Sequence, residues 1–435
     1  MAKKKKTAVP AMPEKKIKVL AYCDSPTCAT GFGTVSRNIL AGLYSTGRFD
    51  IDILGINYWG DPHNFPFRIW PTGVNGERDP YGRKKVFGMI PRMQYDILFF
   101  LQDTFILDFL PELHNHLRSN GRDFRSICYY PIDGVPKAEW LHNVNACDKL
   151  VAYSEFGKRE SLKALSTMKE PLVIPHGANT RDYFVAPEKD VTAFRAQFFG
   201  SQADKFIFTN LNRNQQRKDI PRTIAAFNEF HKQVPESLLY LHMAKKDQGW
   251  DLPEIVKAYG LSISEDVIFP ENFGPNQGYP RNIVNMIYNC SDCVVSTTLG
   301  EGWGLSWVEA MATKTPVIMP GNTAMVENIT EDRGWLVKSG ADASHFTVVP
   351  HDNEIVRPLV DVDDMVEKML EVYNNRAEAK RRAENAYKWT VTQMEWNASI
   401  VPQWQKVFEE AYEELQSGKP IVEEPKEKVI DAESF

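Results

Sequence analysis

No apolar run in this sequence reaches 18 residues, so an ordinary membrane-spanning helix is not expected. The Lys-rich start is not followed by an apolar stretch, so the opening residues do not read as a secretory signal. Cysteine is scarce: six residues, at 23, 28, 128, 147, 290 and 293, scattered through apolar segments. That usage suits reduced thiols in a cytoplasmic protein and excludes a disulfide framework. Cys290 and Cys293 have zinc-like spacing, but no second Cys or His pair lies nearby to complete a site, so both read as core. Gly31 and Gly33 begin a Gly-x-Gly-x-x-Gly pattern that Ser36 leaves incomplete, which argues against a dinucleotide site. Beyond two similar halves there is no internal repeat.

What is present fits a soluble globular chain of two domains: 435 residues, 43% apolar and 25% charged. The net charge of −6 is unevenly spread. Residues 1–190 hold 26 Lys and Arg against 21 Asp and Glu, and the remainder holds 25 against 36. Arg78, Arg83, Lys84, Lys85 and Arg92 gather in the basic half, either as a site for an anionic partner or as a solvated loop.

Hydrophobic patterning predicts strands at 17–22, 51–56, 97–101, 126–130 and 150–153, alternating with helices such as 34–44. A Pro-, Gly- and aromatic-rich loop is expected over 58–83. A second set of strands is predicted at 206–210, 238–243, 267–269, 293–298, 317–319 and 334–337, with helices at 221–233, 253–259, 280–288, 307–312, 362–375 and 376–390. This alternation predicts parallel, doubly wound sheets. An amphipathic helix is expected over 396–416, and disordered tails over 1–16 and, acidic in character, 418–435.

Gly300-Glu301-Gly302-Trp303-Gly304-Leu305-Ser306-Trp307-Val308-Glu309 carries most of the functional signal. It joins the carboxyl end of a buried strand to the amino end of a helix. Unpaired helical N–H groups and the helix dipole make such a junction an anion site, and Gly302 and Gly304 allow close backbone approach. Glu301 and Glu309 are suited to hydroxyls rather than to phosphate, as a sugar or ribose offers them.

This stretch resembles the Glu-x7-Glu motif of retaining glycosyltransferases of family four, which have the GT-B fold of two facing Rossmann-like domains. Gly31-Phe32-Gly33-Thr34, Ile174-Pro175-His176-Gly177-Ala178-Asn179, Arg213 with Lys218, and the stretch from Val317 through Glu327 to Val337 match other family segments in order. The resemblance covers roughly residues 17–390. It implies an α/β protein with an acceptor domain at 17–188, a donor-nucleotide domain at 189–390, and a carboxyl-terminal helix at 391–417 returning to the first domain.

The same resemblance implies site residues. Arg213 and Lys218 would contact the donor diphosphate, Glu301 the transferred sugar, and Glu309 the ribose. The N–H groups of Gly304, Leu305 and Ser306 would face the distal phosphate, with Gly302 in the same turn. Gly31 and Gly33 would approach from the first domain. Many relatives carry a His-Asp pair where this chain has Ile132-Asp133, so only the carboxylate of Asp133 is retained to orient a sugar or acceptor hydroxyl. His176 reads as structural. The implied activity is retaining transfer of a hexose or pentose from a nucleotide-diphosphate sugar, with uridine diphosphate as the expected nucleotide. The departing phosphate would take the acceptor proton. No cofactor and no metal are expected, since no Asp-x-Asp lies near these motifs. The acceptor is a glycan, a lipid or a hydroxylated DNA base, and the setting cytoplasmic or peripheral at a membrane. Alternatives are a nucleotide-sugar epimerase and a non-catalytic sugar-nucleotide-binding protein.

Overall fold

A computed structural model of the chain describes residues 15–274 and 278–419. The expected tails therefore lie almost wholly outside the described residues. The first domain runs β1 (Ile17–Asp24), α1 (Gly31–Ser45), β2 (Phe49–Ile56), β3 (Arg68–Pro71), α2 (Arg83–Met89), β4 (Ile97–Leu101), α3 (Leu110–Ser119), β5 (Arg125–Tyr130), α4 (Ala138–Asn145), β6 (Lys149–Ala152), α5 (Glu155–Ala164) and β7 (Leu172–Val173). Its seven strands are all parallel, in the order β3-β2-β1-β4-β5-β6-β7. Every residue of β4 and β5 is buried, as a central parallel strand covered on both faces requires.

The second domain runs α6 (Glu188–Phe199), β8 (Phe206–Asn210), α7 (Ile220–His231), β9 (Ser237–Leu241), α8 (Leu252–Ala258), β10 (Val267–Ile268), α9 (Arg281–Cys290), β11 (Cys293–Val295), α10 (Leu305–Ala312), β12 (Val317–Pro320), α11 (Met325–Asn328) and β13 (Trp335–Val337). An antiparallel hairpin of β14 (Phe346–Val348) and β15 (Val356–Pro358) follows, then α12 (Val362–Asn374) and α13 (Arg376–Gln393). The six-stranded parallel sheet has the order β10-β9-β8-β11-β12-β13. In each sheet the strand order reverses once, between β1 and β4 and between β8 and β11. Ligands of open parallel sheets bind outside the carboxyl ends of the strands at such reversals. The loops after β1, β4, β8 and β11 are therefore the ones placed to carry function.

A π-helical turn (Trp396–Ile400) leads into α14 (Val401–Gln416), which returns to the first domain. Trp404 meets Phe99 and Tyr129 with ring centroids 5.5 and 4.6 Å apart, and Phe408 meets Phe49 and Phe99 at 5.9 and 5.3 Å. Gly42 on α1 leaves room for Val401, since an added Cβ would collide with that side chain.

Three features depart from expectation. The loop expected over 58–83 contains β3, a four-residue edge strand too short and too Pro-bounded to show a period. The two-residue β7 and the β14–β15 hairpin were not expected; both are too short to show a period. The strand expected over 293–298 ends at Val295, after which the hydroxyls of Ser296, Thr297 and Thr298 bond the side chains of Asn212, Thr223 and Glu301 in place of continuing the ladder.

Replacing Trp404 with Ala removes the ring that joins α14 to β4 and β5. A cost of about 3–5 kcal/mol is expected, as for other buried aromatic truncations. A urea midpoint indistinguishable from that of the unsubstituted chain would show that α14 is not docked in solution.

Candidate active site

The loops after β8 and β11 meet in a chain of buried charges. Lys218 lies in a 3-10 turn, Gln216–Lys218, and donates to the Glu301 carboxylate. Thr298 donates to the same carboxylate at 3.0 Å, and Arg217 approaches its other oxygen at 3.4 Å. The Glu301 N–H donates to Thr323 at 3.0 Å, fixing the backbone. Burial opposes ionisation of Glu301, but Lys218 and Arg217 outweigh it and hold the carboxyl below its ordinary range. Burial also lowers Lys218, and Glu301 restores part of that loss. The pair is ionised because each charge is the other's main compensation.

Arg217 continues the chain across the domains, 3.2 Å from Asp133 in the loop after β5. Arg357 of β15 donates to the other Asp133 oxygen at 3.1 Å and to its carbonyl, and pairs with Asp352 at 2.7 and 3.0 Å. Burial raises Asp133, but the two guanidiniums overcome it and keep the carboxyl ionised below its usual range. Gly300 and Gly134 permit this contact. A Cβ on Gly300 would strike the Asp133 carbonyl, and one on Gly134 would stand 2.8 Å from the Arg357 guanidinium.

Gly304 caps α10 with φ of +99°, and no side chain caps the first turn. A Cβ there would enter the Trp307 ring, so both conformation and packing demand glycine. The first turn of α10 is thus left without a side-chain cap, and the Leu305 side chain lies 3.9 Å from an ideal Cβ on Gly31 of the first domain. Further along α10, Glu309 accepts hydrogen bonds from Tyr288, at 3.0 Å, and Tyr183. Burial raises its carboxyl to about 7 despite these bonds and the nearby Arg281 and Arg37.

Other predicted residues are placed differently. Arg213 turns away from Glu301 and pairs with Asp247 at 2.6 and 3.2 Å, so Arg217 takes the position beside Glu301. Gly31 and Gly33 lie in the first turn of α1 rather than in a free loop. The Gly33 N–H donates to the cap residue Thr30 at 2.9 Å, and its missing side chain makes room for the Cys28 carbonyl, 2.7 Å from an ideal Cβ. His176 bonds Tyr129 at 2.7 Å inside an aromatic cage, and burial lowers it to about 3, so it is neutral. In the basic stretch, Arg83 pairs with Asp108 and Glu112. Among the described residues, no group of three or more His, Cys, Asp or Glu converges as metal ligands, and no helix is long and apolar enough to cross a membrane.

The cleft encloses a cavity of about 620 Å³ between the loops after β4 and β5, the Gln215–Arg217 stretch and the β14–β15 turn. Sequence reasoning missed two of its residues. Arg357 is a lone charge in the apolar stretch 355–358, and that isolation was its only signal. Asp103 follows the fully apolar β4 at a sheet reversal. Burial, with Asp133 adding to it, raises its carboxyl to about 7.

Glu309 and Asp103 are both raised from ordinary carboxyl values, so the folded protein retains protons that the unfolded chain releases. The contribution of these two groups to stability is then fullest below about pH 4 and is lost as pH rises toward 7, by about 3 kcal/mol for Glu309, opposite in sign to the contribution of the depressed Glu301 and Asp133. Glu309→Gln should flatten part of that slope and raise the melting temperature at pH 8. An unchanged slope in the variant would show that Glu309 titrates normally.

Residues 193–389 match the family model of Glycosyl transferases group 1. The alpha-monoglucosyldiacylglycerol synthase of Streptococcus pneumoniae is 27% identical over 199 residues, 45% of this chain and 41% of the relative. The enzyme of the same name from Acholeplasma laidlawii is 26% identical over 149 residues, 34% of this chain and 35% of the relative. The chain thus spans well under half the length of the curated relatives it matches. Among solved structures, sucrose-phosphate synthase from Thermosynechococcus elongatus superposes with a TM-score of 0.70 at 17% identity, covering 92% of this chain and 100% of that one. The Anabaena protein HepE in complex with UDP-glucose gives 0.68 at 16%, covering 91% and 100%. At these identities the structures speak for the fold, which is GT-B. The second domain, over residues 193–389, is similar to the group 1 glycosyl transferases, on a chain whose two domains have the GT-B fold.

Proposed function

We propose that this protein transfers a sugar from a nucleotide-diphosphate sugar to an acceptor hydroxyl, with retention at the anomeric carbon. The observation that carries this reading is the meeting of Lys218, Arg217 and Glu301 beside the uncapped amino end of α10 in the interdomain cleft. Two cations and a helix terminus stabilise negative charge that grows as a nucleoside diphosphate departs. They supply this charge from the chain itself, and the reaction needs no metal. Glu301, kept ionised, accepts hydrogen bonds from sugar hydroxyls. Glu309 does so for the ribose, exchanging tyrosine donors for ribose hydroxyls. Arg213 is exposed enough to leave Asp247 for the diphosphate.

Asp133 is a poor nucleophile, because a guanidinium engages each of its oxygens. This supports same-face transfer in which the departing phosphate takes the acceptor proton, with Asp133 orienting its arginines. Among the relatives and solved structures matched, HepE is complexed with UDP-glucose, which supports a uridine nucleotide as donor carrier.

The test is thermal stabilisation by a panel of nucleoside diphosphates. A ligand at 100 times its Kd adds about 2.7 kcal/mol. Lys218→Ala should lower the transfer rate about 10²–10³-fold. Absence of stabilisation by every nucleotide would sink the reading, and conversion of the donor sugar without any acceptor would replace it with epimerisation.

A further inference from the structure

The cleft cavity has an outer half that the donor-side residues do not use. Its wall is an aromatic pair, Phe105 after β4 and Trp140 on α4, with ring centroids 5.5 Å apart. Phe105 is 40% exposed, an unusual fraction for a phenylalanine fixed against a second ring. Among the described residues, no side chain or carbonyl accepts from the Trp140 indole N–H or donates to the Asp103 carboxylate, so both polar groups are available to a ligand. Across from the rings stand the amides of Gln215, Gln216 and Gln248.

The charge of this wall discriminates among acceptors. Its two arginines are committed: Arg217 to Asp133 and Glu301, Arg357 to Asp133 and Asp352. Lys137, which stands over the Trp140 ring at 5.3 Å, is paired with Glu354 at 3.3 Å. The surplus charged group is Asp103. An anionic ligand would meet the Asp103 carboxylate and arginines already engaged by carboxylates, with His351 of the β14–β15 turn the remaining titratable group of the lining. A polyol suits every element: the apolar face of a sugar ring lies on the indole, and its hydroxyls reach a carboxylate and amides.

We propose that the Phe105–Trp140 wall, with Asp103, is an acceptor subsite for a neutral saccharide. This inference rests on the transferase reading and narrows its acceptor to a glycan. Asp103 accepts a hydrogen bond from a saccharide hydroxyl at the floor between the two domains. Burial, Asp133 and Asp24 raise the Asp103 carboxyl to about 7 against the pull of Arg217, so saccharide binding should strengthen as pH rises through about 7 and Asp103 ionises, with His351→Gln as the control for the other titratable group of the lining.

The experiment uses the full chain with 5-fluorotryptophan and follows the Trp140 resonance by ¹⁹F NMR, assigned through Trp140→Phe. The probes are methyl glycosides of glucose, mannose, galactose and N-acetylglucosamine, and maltose. At least one should shift the Trp140 signal saturably. Asp103→Asn should raise its Kd about tenfold, and its weakening below pH 7 should disappear in that variant. Stabilisation of the variant by nucleoside diphosphates reports that it is folded. A Trp140 signal unmoved by every saccharide overturns the proposal, as does one moved only by duplex DNA or by diacylglycerol-containing vesicles. A saccharide shift without nucleotide-sugar turnover would keep the subsite and remove the transferase reading. Nucleotide binding and turnover without a saccharide shift would do the reverse.

Discussion

Six charges of alternating sign, Lys218, Glu301, Arg217, Asp133, Arg357 and Asp352, run through the cleft and join the two domains. They sum to zero; Lys218, Glu301 and Arg357 are buried and the other three half-buried. Breaking such an array by removing one member leaves an uncompensated charge in a medium that solvates it poorly, at a cost of about 3–5 kcal/mol. Its neighbours are shaped by that constraint. Gly300 and Gly134 lack side chains where Arg357 and the Asp133 backbone must pass, and Gly302 lacks one where an ideal Cβ would stand 2.9 Å from Pro131. The glycines around Glu301 therefore serve domain contact as much as anion approach, a double duty that a motif read as a phosphate turn does not disclose.

The array also sets how the two domains face one another. Glu327 on α11 reaches across and accepts from the N–H groups of Glu155 and Phe156, at 2.9 and 2.5 Å, capping α5 of the other domain. A helix of the first domain thus has its amino end satisfied by the second. Together with α14, which belongs to the second domain in sequence and to the first in packing, these links make the cleft a defined cavity rather than a gap between tethered units.

The architecture was legible because it is written in long, repeated signals. Strand β4 is fully apolar and β8 opens on Phe206-Ile207-Phe208, and alternation with amphipathic helices leaves few folds to choose from. The Glu301–Glu309 stretch was legible for a related reason: strand, glycines and helix follow one another without a break. Arg357 and Asp103 were not, because their roles arise from a hairpin and a strand end that only the tertiary fold brings to Asp133. Arg213 shows what spacing leaves open. Its spacing from Lys218 matched a pattern, but Asp247, 5% exposed and itself in need of a cation, engages the guanidinium, while adjacent Arg217 meets Glu301. Spacing along the chain names the candidates; competition among nearby carboxylates decides which one serves.

That competition gives the cleft its polarity. On the donor side Lys218, Glu301 and the uncapped amino end of α10 lie together, so a diphosphate is met by a helix terminus and by a cation that stays paired with its carboxylate. On the opposite side the arginines are already paired with carboxylates, and Asp103 shares Arg217 with Asp133 and Glu301 rather than holding a cation of its own. The cavity beside the Phe105–Trp140 wall therefore suits a polyol better than an anion. The asymmetry is set by which carboxylates the arginines have to satisfy, so a change at Asp352 or Asp133, neither of which need touch the donor, would release a guanidinium and alter what the far wall accepts.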